Sequence, residues 1–203
     1  MRLNHILPSV SLTCHSIYSL SHAEQDANVS LDSPAQTLFT DFYKTPAITV
    51  QSSTQIDVAL EHMMRSGVRV LFVIDENTNI IGLVTTFDIL GEKPILHLQR
   101  AHDGQFNAYK RSQISVQDIM EPLSELNMIS MKELDQAKVA DIAEIFKHST
   151  QRHMIVLEST ATSACKIMRG LFSAAHIESA VGISLEFSDP LSNFSDIEYA
   201  LLH

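Results

Sequence analysis

The stretch Gly67–Leu90, GVRVLFVIDENTNIIGLVTTFDIL, decides the fold of this 203-residue chain. Val70–Ile74 and Ile80–Val84 are rich in β-branched residues, and the polar residues between them are typical of a turn. The pattern predicts two antiparallel strands joined by a hairpin and followed by a short helix. Thr85 and Asp88 fall where the second strand meets this helix, so a polar ligand could be held there.

The residues before the hairpin predict a helix and a strand. Apolar side chains recur from Ile56 to Met64 at steps of three and four, and Gly67 follows the last of them. A strand is predicted at Ala47–Val50, preceded by a short helix that starts at Ser33-Pro34. The resulting unit has the order β-α-β-β-α, which places the chain in the α/β (α+β) class.

The second half of the chain repeats this pattern. The offsets are 81, 83 and 88 residues for the pairs Ile48 and Ile129, Arg69 and Arg152, and Gly82 and Gly170. A period of about 85 residues is too long for a solenoid unit, so the sequence indicates a duplicated small domain. We predict an N-terminal arm, a first domain, a linker with an extra helix, a second domain and a C-terminal tail, at residues 1–32, 33–92, 93–113, 114–183 and 184–203.

The composition limits the partners and the compartment. A formal charge of −10 argues against binding to a nucleic-acid backbone, which needs Lys and Arg to neutralise phosphates. Cys14 and Cys165 have no metal-ligand spacing, and no apolar run is long enough for a membrane helix. Residues 1–23 imitate a secretory signal, but Pro8 and repeated polar residues break its apolar centre. We therefore predict a cytoplasmic protein without membrane association.

Two motifs resemble those of a known family. They are Val-x-Asp-Ile-Met-x-Pro at Val116–Pro122 and Gly-hydrophobic-x-Thr-x-x-Asp at Gly82–Asp88. Together with the duplication they resemble a tandem pair of CBS domains, the Bateman module, of the stand-alone bacterial type. The resemblance covers residues 34 to 182. It implies two domains packed as a pseudo-two-fold pair, clefts that bind adenosine nucleotides, a homodimer, and regulation of an unidentified protein partner.

Thr85 and Asp88 also make chemical sense as ligands without the family. A carboxylate in the first turn of a helix can accept two hydrogen bonds from a ribose diol, and a threonine hydroxyl can donate to ribose or phosphate oxygens. The helix N-terminus adds free N–H groups and a dipole that favours an anion. The same two residues also fit a helix capping box, in which each satisfies the backbone of the other. The two interpretations are compatible if Thr86 caps the helix instead.

The resemblance supplies the remaining candidates. It implies that the segment before the first strand meets the base and that the first hairpin strand lines the pocket, while two arginines at equivalent positions suit phosphates. Each arginine is alternatively a solvated residue paired with a carboxylate. The candidate ligand-binding residues are therefore Thr85, Asp88, Thr45, Ala47, Val70, Leu71, Arg69 and Arg152.

The second repeat departs from the motif, because His176 stands where the acid is expected. An imidazole cannot accept two hydrogen bonds from a diol, so we predict one competent nucleotide cleft, on the Asp88 side. No catalytic motif, metal site or required cofactor is predicted, and an adenine nucleotide is the expected regulatory ligand. The alternative is a CBS module without ligand that acts through protein interactions.

Overall fold

The computed structural model describes residues 29–101, 111–159 and 166–185. The predicted arm up to residue 28, most of the hairpin loop of the second repeat, the tail beyond residue 185 and both cysteines lie outside these residues. The chain divides into two compact units. Within the described residues, unit 1 comprises 46–101, 111–126 and 166–167, and unit 2 comprises 29–45, 127–159 and 168–185.

Unit 1 contains a four-stranded mixed sheet with helices. Its strands are in the order β2-β3-β4-β5, with β2 parallel to β3 and the other pairs antiparallel. Its elements are β2 (Thr49–Gln51), α1 (Ile56–Ser66), β3 (Val70–Ile74), β4 (Ile80–Thr85), α2 (Thr86–Leu90), α3 (Lys93–Ala101) and β5 (Glu121–Pro122), with short 3₁₀ turns at Arg111–Gln113, Val116–Asp118 and Leu123–Glu125.

Unit 2 repeats this arrangement. Its sheet has the order β1-β8-β7-β6, with β6 parallel to β7 and β1 antiparallel to β8. Its elements are a 3₁₀ turn at Ala35–Leu38, β1 (Thr40–Asp41), β6 (Asn127–Ser130), α4 (Met131–Leu134), α5 (Val139–Lys147), β7 (His153–Ser159), β8 (Lys166–Ser173) and α6 (Ala174–Val181).

Each unit takes its edge strand from the other repeat. We call residues 34–45 and 114–126 the first and second leading segments, because each precedes the helix and hairpin of its own repeat. The first lies in unit 2, where Thr40 pairs with Leu171, and the second lies in unit 1, where Glu121 pairs with Leu83. The compact units therefore do not coincide with residues 33–92 and 114–183, which the repeat alone delimits.

Two equivalent glycines allow the leading segments to approach. A Cβ atom at Gly82 would overlap the carbonyl oxygen of Glu121, and one at Gly170 would overlap that of Thr40. Only a residue without a side chain lets the edge strand come this close. Both repeats therefore have glycine at this position because both units have the same packing requirement.

Apolar side chains from a leading segment complete each hydrophobic core. In unit 1, Ile114 and Val116 are buried with the helix face at Ile56 and Met63. In unit 2, Leu38 is buried with Phe146 and the other apolar residues of α5. Burying a side chain of this size contributes about 2 kcal/mol, so the leading segments are part of each core.

The hairpin and the main helices match the sequence prediction. α1 ends at Gly67, whose φ of 66° allows the left-handed turn that closes the helix. Three elements differ from the sequence prediction. The helix expected to begin at Pro34 is a 3₁₀ turn that starts one residue later, the strand predicted at Ala47–Val50 is Thr49–Gln51, and β1 was not predicted because two residues carry no period.

Candidate functional site

Thr85 and Asp88 form a complete capping box at the start of α2. The Asp88 Oδ2 atom accepts hydrogen bonds from the Thr85 backbone N–H at 2.7 Å and from its hydroxyl at 2.8 Å. The Asp88 backbone N–H in turn donates to Thr85 Oγ1 at 3.1 Å. Both residues are buried. The possibility that Thr86 caps this helix is wrong, because Thr85 is the cap and Thr86 is the first helical residue.

The second carboxylate oxygen of Asp88 binds a lysine. Lys93 Nζ lies 2.6 Å from Asp88 Oδ1, and the lysine side chain is 41% exposed whereas that of Asp88 is 8% exposed. The carboxylate therefore has one oxygen fixed by the helix cap and one held by a water-accessible ammonium group. A ligand hydroxyl can reach Oδ1 only by displacing or sharing Lys93.

The surroundings of Asp88 in unit 1 are acidic. Burial raises the pKa of the Glu121 carboxyl, the negative charge of Asp88 raises it further, and Glu125 adds a smaller effect of the same sign. Lys93 acts in the opposite direction. Three carboxylates and one ammonium group thus interact in this region, which favours a hydroxyl or cationic ligand group over a phosphate.

The other predicted residues of unit 1 have unequal access. Arg69 is exposed, and its carbonyl oxygen accepts a bond from the Thr86 N–H at 3.1 Å. Ala47 and Val70 are half-buried, whereas Leu71 is fully buried in the hydrophobic core. The Leu71 side chain therefore packs inside the unit, where it does not line a surface pocket.

Arg152 and Thr45 belong to unit 2. The Arg152 carbonyl accepts from Ala174 N–H at 3.0 Å, the same contact that Arg69 makes, so the two arginines are equivalent in the backbone. Thr45 donates its N–H to the Asp41 carbonyl at 2.9 Å. It lines a cavity of about 360 Å³ together with His176. The structure thus places Thr45 in the unit of His176, and Asp88 in the other.

The cavity of unit 2 contains a well-defined ion pair. Asp41 accepts from Arg169 Nε at 2.9 Å and from Nη2 at 2.8 Å, and the guanidinium carbon lies 4.1 Å from the centre of the Tyr43 ring. Burial alone would raise the pKa of Asp41, but the hydrogen bonds from Arg169 and the Tyr43 N–H and the charges of Arg169 and Lys44 hold it below the usual 3.8. The pair is rigid because the fork of the guanidinium matches both carboxylate oxygens.

The sequence prediction missed Lys93, Glu121, Asp41 and Arg169. For Asp41 and Arg169 the sequence does contain a signal. It appears when the two leading segments are aligned with each other and the two hairpins with each other. Asp41 stands at the position of Pro122, and Arg169 at that of Ile81, so the acid and the base occur together in unit 2 only. Two opposite charges gained together at paired strands indicate a contact.

Comparisons with known proteins match part of the chain to one family. Residues 40–94 match the model of the CBS domain. A protein of Methanopyrus kandleri, named uncharacterized protein MK0525, is 35% identical over 63 residues, which cover 31% of this chain and 32% of that protein. The chain thus aligns with about a third of the length of this relative. Over residues 40–94 the chain is thus similar to a CBS domain, and the same order of elements recurs in its second half.

Of three similar solved structures, one has a TM-score above 0.5 and shares the fold. An uncharacterized conserved protein from Pyrococcus horikoshii has a TM-score of 0.51 at 19% identity, covering 79% of this chain and all 100% of that one. The CBS-pair protein CBSX2 from Arabidopsis thaliana has a TM-score of 0.44 at 21% identity, covering 75% and 94%. A structure of CBSX2 in complex with AMP has a TM-score of 0.45 at 22% identity, covering 73% and 94%.

Two features are absent from residues 29–101, 111–159 and 166–185. None of their helices is long and apolar enough to cross a membrane. Within the same ranges, no three His, Cys, Asp or Glu side chains are grouped closely enough to hold a metal ion. His148, one of the ten histidines, lies 2.9 Å from Glu144 on the surface of α5.

Proposed function

We propose that this CBS-domain protein is a regulatory module that binds an adenosine nucleotide and transmits its presence to a protein partner. CBS-pair proteins act in general as regulatory modules, and the sequence resemblance implies an adenosine ligand. The ribose would bind Asp88 in unit 1. The observation that carries the proposal is that the two oxygens of the Asp88 carboxylate have different partners. Oδ2 is fixed by the helix cap, and Oδ1 is held by the partly exposed Lys93.

The cap supports this role because it fixes the position of the carboxylate before a ligand arrives. Two hydrogen bonds from Thr85 hold Oδ2, so little side-chain freedom is left to lose on binding. Oδ1 keeps a partner that water already reaches, and exchanging an exposed lysine for a ribose hydroxyl costs about 1 kcal/mol or less. Capping and ligand binding therefore coexist in one residue.

Calorimetric titration with AMP tests the site. Asp88→Asn keeps the size of the side chain but removes the charge and half of its acceptor capacity, so we expect AMP affinity to fall by about tenfold or more. Unchanged affinity in a folded Asp88→Asn protein would overturn the assignment of this residue. Absence of AMP binding to the unmodified protein would overturn AMP as the ligand, and titrations with ADP, ATP and S-adenosylmethionine test the other adenosine compounds.

Asp118→Asn is the matched control. Asp118 Oδ2 accepts from the Ser115 N–H at 2.8 Å and from the Ser115 hydroxyl at 2.6 Å, so it makes the same capping contacts as Asp88 in the same unit. This variant loses a capping carboxylate without touching the proposed site. It should be destabilised and should still bind AMP as the unmodified protein does.

A second function, a CBS module that binds proteins without a ligand, is favoured by the completeness of the capping box. Thr85 and Asp88 satisfy each other, as a purely structural pair would. In that case Asp88→Asn and Asp118→Asn lower thermal stability alike, and no adenosine compound protects either protein from unfolding. Thermal unfolding with and without AMP therefore separates the two functions.

A further inference from the structure

Glu121 lies on the same face of the unit 1 sheet as Thr85. Glu121 on β5 pairs directly with Leu83 on β4, and opposite residues of an antiparallel pair have their side chains on one face. Leu83 and Thr85 are two residues apart on β4, so their side chains share that face. Because Thr85 holds Oδ2 of Asp88, the Glu121 carboxylate belongs to the surroundings of the proposed ribose site.

The charge of Glu121 does not help the fold. The side chain is half-buried, and within the part of the chain that the structure describes it accepts no hydrogen bond and forms no ion pair. Lys93 attracts it, but the Lys93 Nζ atom binds Asp88 instead. Burial and the charge of Asp88 raise the pKa of Glu121, so its ionised form opposes folding. An ionised group that lowers stability is typical of a functional site.

Unit 2 lacks these negative charges. The register of the edge strands makes the first leading segment equivalent to the second, with Thr40 at the position of Glu121 and Lys44 at that of Glu125. Unit 1 therefore has two acids where unit 2 has a threonine and a lysine. Since both units build the same edge strand, the strand pairing does not require an acid at either position.

The charges that interact around Asp88 leave a negative balance. Asp88, Glu121 and Glu125 each supply one negative charge, and Lys93 compensates one of the three. Arg69 is exposed beside the start of α2, but it is not among the charges that act on Glu121. A phosphate brought into this region would be repelled, a hydroxyl would not, and an ammonium group would be attracted.

We propose that Glu121 selects the charge of the ligand in unit 1, so that the site favours adenosine compounds with an uncharged or cationic 5′ group over those with a 5′-phosphate. This selection rests on the function proposed for Asp88 and adds the residue that discriminates among its ligands. Glu125, exposed on the turn after β5, acts in the same direction with a smaller effect. AMP binds through its ribose, but more weakly than adenosine.

Three compounds that differ only at the 5′ position measure the selection. Adenosine, AMP and 5′-amino-5′-deoxyadenosine share the base and the ribose diol, and the amine is protonated at about pH 7. We expect calorimetry to show the tightest binding for the amino compound and the weakest for AMP, with about tenfold between neighbours, the order of magnitude for one charge at a partly exposed site.

Glu121→Gln removes the selecting charge. It should remain folded, because the charge it removes opposes folding. We expect the affinity for AMP to rise by about tenfold, that for the amino compound to fall by about the same factor, and that for adenosine to stay unchanged. Opposite changes for the two charged compounds cannot come from a general change in the packing of the site.

Glu76→Gln is the matched control. Glu76 is exposed in the hairpin turn, at the opposite end of β4 from Thr85, so removing its charge should leave all three affinities unchanged. Equal affinities for AMP and adenosine in the unmodified protein, or an unchanged ratio in Glu121→Gln, would overturn the selection by Glu121 and leave the Asp88 site intact. Absence of adenosine binding to the unmodified protein would overturn the function proposed for Asp88 and the selection with it.

Discussion

Replacing Lys93 by methionine should change stability and ligand affinity in opposite directions. Lys93 Nζ lies 2.6 Å from Asp88 Oδ1, and its side chain is 41% exposed. A partly exposed ion pair contributes about 1 kcal/mol, so the variant should lose roughly that much unfolding free energy. The methionine keeps most of the apolar stem of the lysine, which limits the effect on packing.

The same substitution frees Asp88 Oδ1, the acceptor proposed for a ribose hydroxyl. If Oδ1 has to give up Lys93 before it binds a hydroxyl, removing the lysine returns about 1 kcal/mol to binding, which is about a fivefold gain in affinity. Adenosine is the right probe, since it has no phosphate to which a released lysine could bind. Urea unfolding and calorimetry measure the two effects on one preparation of protein.

General damage to the fold would weaken both quantities together, so the opposite signs are diagnostic. Adenosine affinity that is unchanged or lower in a folded Lys93→Met protein would refute the idea that the lysine competes with the ligand. Asp88→Asn combined with Lys93→Met provides the final check. In that background the lysine has lost its charged partner, and its removal should no longer lower stability by about 1 kcal/mol.

Three further outcomes follow from the contacts. Gly170→Ala should cost about 2 kcal/mol of unfolding free energy, since its Cβ overlaps the Thr40 carbonyl, and an unchanged urea midpoint would show that β1 can move away freely. Glu121→Gln should raise stability at neutral pH. Folding raises the pKa of Glu121, so the ionised carboxylate opposes folding. The stability advantage of the variant should therefore disappear as the pH falls below 4.5, the ordinary pKa of glutamate. A stability advantage that persists in acid contradicts this cause. Asp41→Asn should lose about 1 to 2 kcal/mol at neutral pH, because Arg169 loses its two-bond partner and keeps only the 3.4 Å contact with Glu158. Urea curves should converge with the unmodified protein as acid protonates Asp41 below pH 3.8, and equal stability at neutral pH would argue against the pair.

The hairpin was predictable because its information is local. Val70–Ile74 and Ile80–Thr85 are apolar and β-branched, the turn is polar, and Gly67 stops the helix before them. The exchange of leading segments was not predictable from periodicity, since β1 and β5 have two residues each. Their partners are chosen by non-local packing against a glycine.

The candidate site was likewise predictable only where its information is local. The capping box of Thr85 and Asp88 follows from a spacing of three residues, so the sequence alone contained it. Lys93 comes from the first turn of the next helix, and its approach to Asp88 depends on how α2 and α3 pack. The charge difference between Lys44 and Glu125 is visible in the sequence, but only the register of the edge strands shows that the two positions are equivalent.

The exchanged leading segments have a consequence for the history of the gene. The strand beside Gly82 is encoded at the start of the second repeat, and the strand beside Gly170 is encoded at the start of the first. Deleting either copy therefore removes an edge strand from the sheet that remains. After duplication the two copies therefore became mutually dependent for folding, while residues outside the strand pairing stayed free to diverge. A chain built this way can evolve two different domains but is not easily reduced to one.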